Sequence, residues 1–224
     1  MTAVDTIGPD AGPAADRRGG LVPVLGLVGL LAGVALMLAL HVLPPTSAIN
    51  PVRRTISEYA LGSSKWLFDL SVVLVAAGSA LGFAELARRR AARPAALALG
   101  VVWTVSLLVV VVFTKTDWSV GPSLGGTIHR YASVAAFLSL PLAVLLLAGA
   151  VFPLSAGWRW TARGLGIASL VWFGTILIGV LNMVAGGPPW WYFVPLGLVE
   201  RMVAGSAVAA LAVVLVGLAR QART

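Results

Sequence analysis

Residues 95–115 read AALALGVVWTVSLLVVVVFTK, twenty-one positions whose one charge, Lys115, comes last. A run of this length and polarity matches the roughly 20 residues that an α-helix needs to cross bilayer hydrocarbon. Backbone groups in lipid must bond within their own segment, so the run has to be helical. Its apolar residues are continuous rather than alternating, which argues against a transmembrane β-barrel. Five more runs of the same kind flank it, at 21–43, 66–87, 128–150, 164–185 and 196–218. The fold class read from them is an all-α integral membrane bundle of six transmembrane helices. Composition agrees. Hydrophobic residues make up 59% of the 224 and charged residues 11%, against about 25% charged in a soluble domain.

Simpler classes fall away. Cysteine is absent, so disulfides, thiolate metal sites and thiol catalysis are excluded. A net charge of +8 would suit a nucleic-acid partner. The arginines, however, cluster in short loops between apolar runs, as membrane topology requires, and no nucleic acid is expected. Residues 1–20, rich in Gly, Pro, Ala and Asp, read as a disordered cytoplasmic tail, and 219–224 as a short C-terminal one. The first apolar run is longer than the core of a cleaved signal peptide, about 7–15 residues, and is read as an uncleaved helix.

Counting cations sets the orientation. Arg17, Arg18, Arg88, Arg89, Arg90, Arg93, Arg159, Arg163, Arg220 and Arg223 fall on one side. Arg53, Arg54, Lys65, Lys115, Arg130 and Arg201 fall on the other. The richer side should be cytoplasmic, placing both termini inside a cell membrane. Gly29 and Gly33, and again Gly78 and Gly82, have the GxxxG spacing that lets helices approach closely, read here as contacts within the chain.

The polar residues are unevenly shared. Glu85 precedes Arg88 and Arg89 at helical spacing and reads as surface pairing. Glu58, Asp69, Asp117 and Glu200 all map to outer loops or outer first turns, with His41, His129 and Asn182 at the same level. Charges near membrane depth tend to face a bundle interior or a water-filled cavity. Asp69 and Glu200 lie deepest, with Arg130 and Arg201 as expected partners. Two readings of this layer stand together: ion pairs that lock helices, and a substrate or ion site.

Three loops refine the second reading. In 50–60, Arg53 and Arg54 precede Thr55-Ile56-Ser57-Glu58-Tyr59-Ala60. Thr55 and Glu58 have capping-box spacing, and the arginines suit a phosphate, a carboxylate or lipid headgroups. Around Thr127-Ile128-His129-Arg130, glycines lead into a helix N-terminus, where anions are favoured and a histidine can act as acid or base. Pro189-Trp190-Trp191-Tyr192-Phe193 reads as an interfacial aromatic belt or, with Trp118, as a wall for an apolar or cationic ligand. No HxxxH or HExxH spacing exists, so no metal is expected. Ser57, His129 and Asp69 form a triad by inventory only, because no nucleophile elbow surrounds the serine.

Thr55 to Ala60, the early Asp69, and Gly126 to Arg130 opening helix four together resemble a bacterial and archaeal membrane family catalogued as domain of unknown function 998. The likeness spans about Leu21 to Leu218. It implies a six-helix integral membrane protein and no established activity. Small integral-membrane terpene cyclases are similar in size, helical content and use of carboxylates with aromatics. That likeness implies Asp69 or Glu200 as the acid that protonates an isoprenoid, walled by Trp118, Trp190, Trp191 and Tyr192.

The expectation is a protein with an outward-facing polar pocket for a lipid-like or anionic ligand. Asp69, Glu200 and His129 would move protons. Arg53, Arg54, Ser57, Glu58, Tyr59, Arg130, Arg201, Asn182, Trp118, Trp190, Trp191 and Tyr192 would hold the ligand. No cofactor is expected; the partners are membrane lipids and an isoprenoid or lipid-like small molecule. Cyclisation, transport and a purely structural role are the alternatives, and oligomeric state is not legible.

Overall fold

The computed structural model describes residues 14–221. Among them there is no strand, only six long α-helices and three short 3-10 segments. The helices are α1 (Ala14–Val42), α2 (Lys65–Arg88), α3 (Pro94–Val112), α4 (Leu124–Val151), α5 (Ala156–Val184) and α6 (Leu196–Gln221). Each is long and apolar enough to cross a membrane, which makes the chain a multi-pass membrane protein. Helical backbone begins at Ala14, inside the expected tail, whose first thirteen residues lie outside the described ones; α6 likewise runs to Gln221 rather than Leu218.

Successive helices pack side by side, and α6 closes back onto α1 and also onto α4. Helix α5 is therefore peripheral: 17% of its apolar window is buried, against 50% for α4. The loops 43–64, 113–123 and 185–195 share one end, here termed the long-loop end. The tight turns 89–93 and 152–155 share the termini end.

The two halves differ. Toward the termini end, Phe83, Leu86, Leu140, Leu147, Val151, Leu211, Leu215 and Leu218 form one closely packed core. It is completed by a buried ionic clamp. Glu85, 1% exposed, accepts from Arg88 Nε and Nη2, both at 2.7 Å, and from Arg89 Nε at 2.6 Å. Arg89 also donates to the Leu218 carbonyl at the end of α6. The pair expected on a helix surface is thus sunk between helices, where a carboxylate needs such partners.

Helices α1 and α2 approach closest at glycines. A Cβ on Gly33 would stand 2.6 Å from the Ser71 carbonyl, and one on Gly26 2.9 Å from the Gly78 carbonyl. The Ser71 hydroxyl donates to the Gly33 carbonyl at 2.8 Å across the same seam. The glycine spacing serves a contact within the chain, as small residues at helix interfaces do.

Candidate functional site

The long-loop half is hollow. A cavity of about 510 Å³ lies between α1, α2, α3, α4 and α6, with no lining residue from α5. Its floor and walls are apolar, including Phe68, Val72, Trp103, Leu107, Phe137 and Val208. Small residues of α6 make the room. Ala204, Gly205, Ala209 and Ala212 line it, and a Cβ on Gly205 would meet open space. Leu31 and Leu38 of α1 also line it and are 52% and 60% exposed, and Gly205 is exposed. The cavity therefore opens sideways between α1 and α6. From Glu200 to Ala212 it runs roughly 18 Å along α6, at 1.5 Å per residue.

Polar groups crowd one end. His41, Ile56, Ser57, His129, Ser133, Glu200 and Arg201 all line it there. Tryptophan 103 closes the other end, its indole donating to the Ser79 hydroxyl at 3.0 Å. The polar end is roofed by the 3-10 segment Ile56–Leu61, whose Tyr59 and Ala60 pack with Leu40, Phe68, Val72 and Val110.

Arginine 201 holds that roof in place. Its Nε donates to His41 Nε2 at 2.7 Å, and Nη1 to the carbonyls of Pro51, Arg54 and Gly197, each at 2.8 Å. Its Nη2 donates to the Tyr59 hydroxyl at 2.9 Å. A guanidinium only donates, so His41 Nε2 accepts and the ring proton sits on Nδ1, directed at the Met37 carbonyl at 2.8 Å. Gly197 permits the close approach: a Cβ there would stand 2.6 Å from the Pro51 carbonyl. The carbonyl of Val52 accepts from Leu198 N at 3.1 Å, satisfying a donor in the first turn of α6.

Glutamate 200, 8% exposed, points the other way from its neighbour. One oxygen accepts from Ile56 N at 2.6 Å. Among the described residues the other has no protein partner, and no buried side-chain oxygen or nitrogen is unpaired, so it opens on the cavity. His129 is 4% exposed. Its Nδ1 lies 2.7 Å from the Phe113 carbonyl. The ring thus caps a carbonyl left unpaired just past the end of α3.

The remaining expected residues lie elsewhere. Asp69 is bound to Lys65, at 2.6 and 2.8 Å, and is not part of the cavity lining. Neither deep carboxylate takes Arg130 or Arg201 as its partner. Glu58 pairs with Lys115 and, at 3.6 Å, with Arg54. Lys115 also donates to the Thr55 hydroxyl at 3.1 Å, which in turn bonds Ser57 at 3.2 Å. The capping box does not form, since Thr55 makes no side-chain cap and Glu58 is spent on Lys115. Arg53 is exposed on the loop. Arg130 is exposed and stacks over Trp118 at 5.7 Å. Asn182 is exposed near the end of α5, while Trp190 and Trp191 meet edge-on and Tyr192 is tilted against Trp191. Trp190 packs with α5 and α6, Trp191 and Tyr192 are exposed, and none of the three lines the cavity; its aromatic rings besides the two histidines are Phe68, Trp103 and Phe137. The stripe of small residues at 204, 205, 209 and 212 was the signal in the sequence that could have located the cavity.

Outside the spans, Asp117 sits in the 113–123 loop. The Ser119 hydroxyl and backbone N–H donate to it at 2.6 and 2.9 Å and hold its carboxyl below the ordinary aspartate value.

No curated protein and no solved structure shows significant similarity to the chain. Residues 17–217, which take in part or all of every helix and the whole cavity lining, match the family described as protein of unknown function DUF998, and the chain belongs to that family.

Proposed function

We propose that the protein sits in the cell membrane with its termini cytoplasmic and takes one lipid-like amphiphile from the bilayer into the α1–α2–α3–α4–α6 cavity. One observation carries this reading. The cavity is apolar along its length, polar only near its roofed end, and open sideways between α1 and α6. A water-soluble solute would gain nothing from such walls, whereas a chain entering from lipid keeps its surroundings while its head finds hydrogen bonds. Glu200 and His129 are the residues placed to exchange a proton with that head. Asp69, tied to Lys65, belongs to the scaffold in this reading, and so do Arg53, Arg54, Glu58 and Arg130.

Native mass spectrometry of the detergent-purified full chain tests it. The wild type should carry bound amphiphile, and the double variant Gly205→Phe with Ala209→Phe, which fills the opening, should lose it while still eluting as a folded species. Equal retention by both proteins would refute the reading.

A second reading, protonation of an isoprenoid, is favoured by the three rings Phe68, Trp103 and Phe137 lining one cavity with the Glu200 carboxyl. It requires a cyclised product from a long-chain isoprenoid that the Glu200→Gln variant no longer makes. Recovery of unchanged isoprenoid would dispose of it.

A further inference from the structure

We infer that the head group seated beside Glu200 is a hydrogen-bond donor, a hydroxyl or an ammonium, and not a phosphate or carboxylate. This rests on the amphiphile reading above and specifies what the cavity accepts.

The inference comes from accounting for each charged group near the polar end. Among the described residues one cation, Arg201, lines the cavity. Five acceptors already hold its guanidinium: His41, Pro51, Arg54, Gly197 and Tyr59. Only one hydrogen on Nη2 is left over from its five N–H groups. Lys115 is taken by Glu58 and Thr55, and Lys65 by Asp69 and the Val111 carbonyl; neither lines the cavity. An anion entering would find no unspent fork of donors, which phosphate and carboxylate recognition relies on. It would instead face the Glu200 carboxyl, whose open oxygen seeks a donor.

The serines point to the same chemistry. Ser133 donates to the His129 carbonyl at 2.9 Å and Ser71 to the Gly33 carbonyl at 2.8 Å, so their protons are spent within the helices. Their lone pairs, like the open Glu200 oxygen, remain acceptors. Apart from the Ser57 hydroxyl, which is shared with Thr55, the polar end therefore offers acceptors to its contents, and a hydroxyl or ammonium supplies what they lack.

The experiment uses four probes of equal chain length on the full-length protein in detergent: hexadecanol, hexadecylamine, palmitate and hexadecyl phosphate. Native mass spectrometry reads the bound fraction of each at matched concentration. The alcohol or the amine should outbind both anions by about tenfold or more, the scale set by a polar group denied its partner. Whichever of the two binds better identifies the head as neutral or cationic. In Glu200→Gln the carboxamide keeps an acceptor but adds a donor, and the preference against the anions should shrink. If palmitate or hexadecyl phosphate binds as well as the alcohol and the amine, the donor-head inference is overturned while the cavity reading survives. If all four bind the Gly205→Phe, Ala209→Phe variant as they bind the wild type, the cavity reading itself has failed.

Discussion

Replacing Arg201 with lysine should release the 50–60 loop, and the size of the effect follows from its bonds. The guanidinium spans five acceptors on α1, the loop and α6. A lysine ammonium is a compact point charge with three donors and cannot bridge that spread. Not every lost bond counts. The Pro51 and Arg54 carbonyls are at exposed positions, where water replaces the guanidinium, and Gly197 lies within the same helix. The bonds to Tyr59, 1% exposed, and to His41 have no such substitute. Two charge-assisted bonds, discounted for partial exposure, are worth about 3 kcal/mol in local stability, or about a hundredfold in the population of the opened loop. Trypsin reads that population directly, because Arg53 and Arg54 are exposed cleavage points on a backbone that the staple pins, and proteolysis follows the open fraction when reclosing is fast. Cleavage after Arg53 or Arg54 in detergent should accelerate about a hundredfold in Arg201→Lys, while cleavage after Arg90, exposed at the other end, keeps its rate. Equal loop cleavage in the two proteins would refute the assignment of Arg201 as the staple.

Three further outcomes are expected. Gly33→Val should destabilise the α1–α2 seam by about 1–3 kcal/mol through overpacking, read by tryptophan fluorescence during unfolding in dodecyl sulfate; an unchanged midpoint would contradict the close approach. Glu85→Gln should cost about 1–3 kcal/mol, less than a fully enclosed pair because Arg88 is 61% exposed and can rehydrate, and the same assay detects it. At Asp117 the folded-state carboxyl titrates lower than in the unfolded chain. The ionised group therefore stabilises the 113–123 loop fully above the ordinary aspartate range, and this is lost as pH falls through the lowered folded value. Ser119→Ala should move the Asp117 titration, followed by NMR, upward; no movement would remove the hydrogen-bond explanation.

The six spans were legible because hydropathy alone determines them, yet their ends shifted for local reasons. Helix α5 starts at Ala156, eight residues before the apolar run, because its polar first turns find partners. Arg159 binds the Phe152 and Pro153 carbonyls, and Arg163 stacks over Trp160. Helix α4 starts at Leu124 because Ser123 accepts from Gly126 N at 3.0 Å. Helix α3 stops at Val112, and Lys115 sits in the loop that His129 caps. The gathering of polar groups at one end was also readable from charge, but their facing was not. Glu200 and Arg201, or His129 and Arg130, are adjacent and so about 100° apart around a helix. Where every face of a helix is apolar, periodicity gives no rotational phase. Hence Glu200 and His129 turned inward to the cavity, while Arg130 turned out to Trp118 and Arg201 up into the roof.

The close packing of the termini half bears on what the hollow half can accomplish. Phe83, Leu140, Leu147, Leu211 and Leu215 pack together beneath Trp103, so in the proposed reading a molecule admitted between α1 and α6 would meet this packed core partway through the membrane. In that reading it would be held and returned only to the leaflet it came from. On that proposal the hollow half is an alcove and not a corridor, and exchange with the opposite leaflet would first require the packed half to come apart.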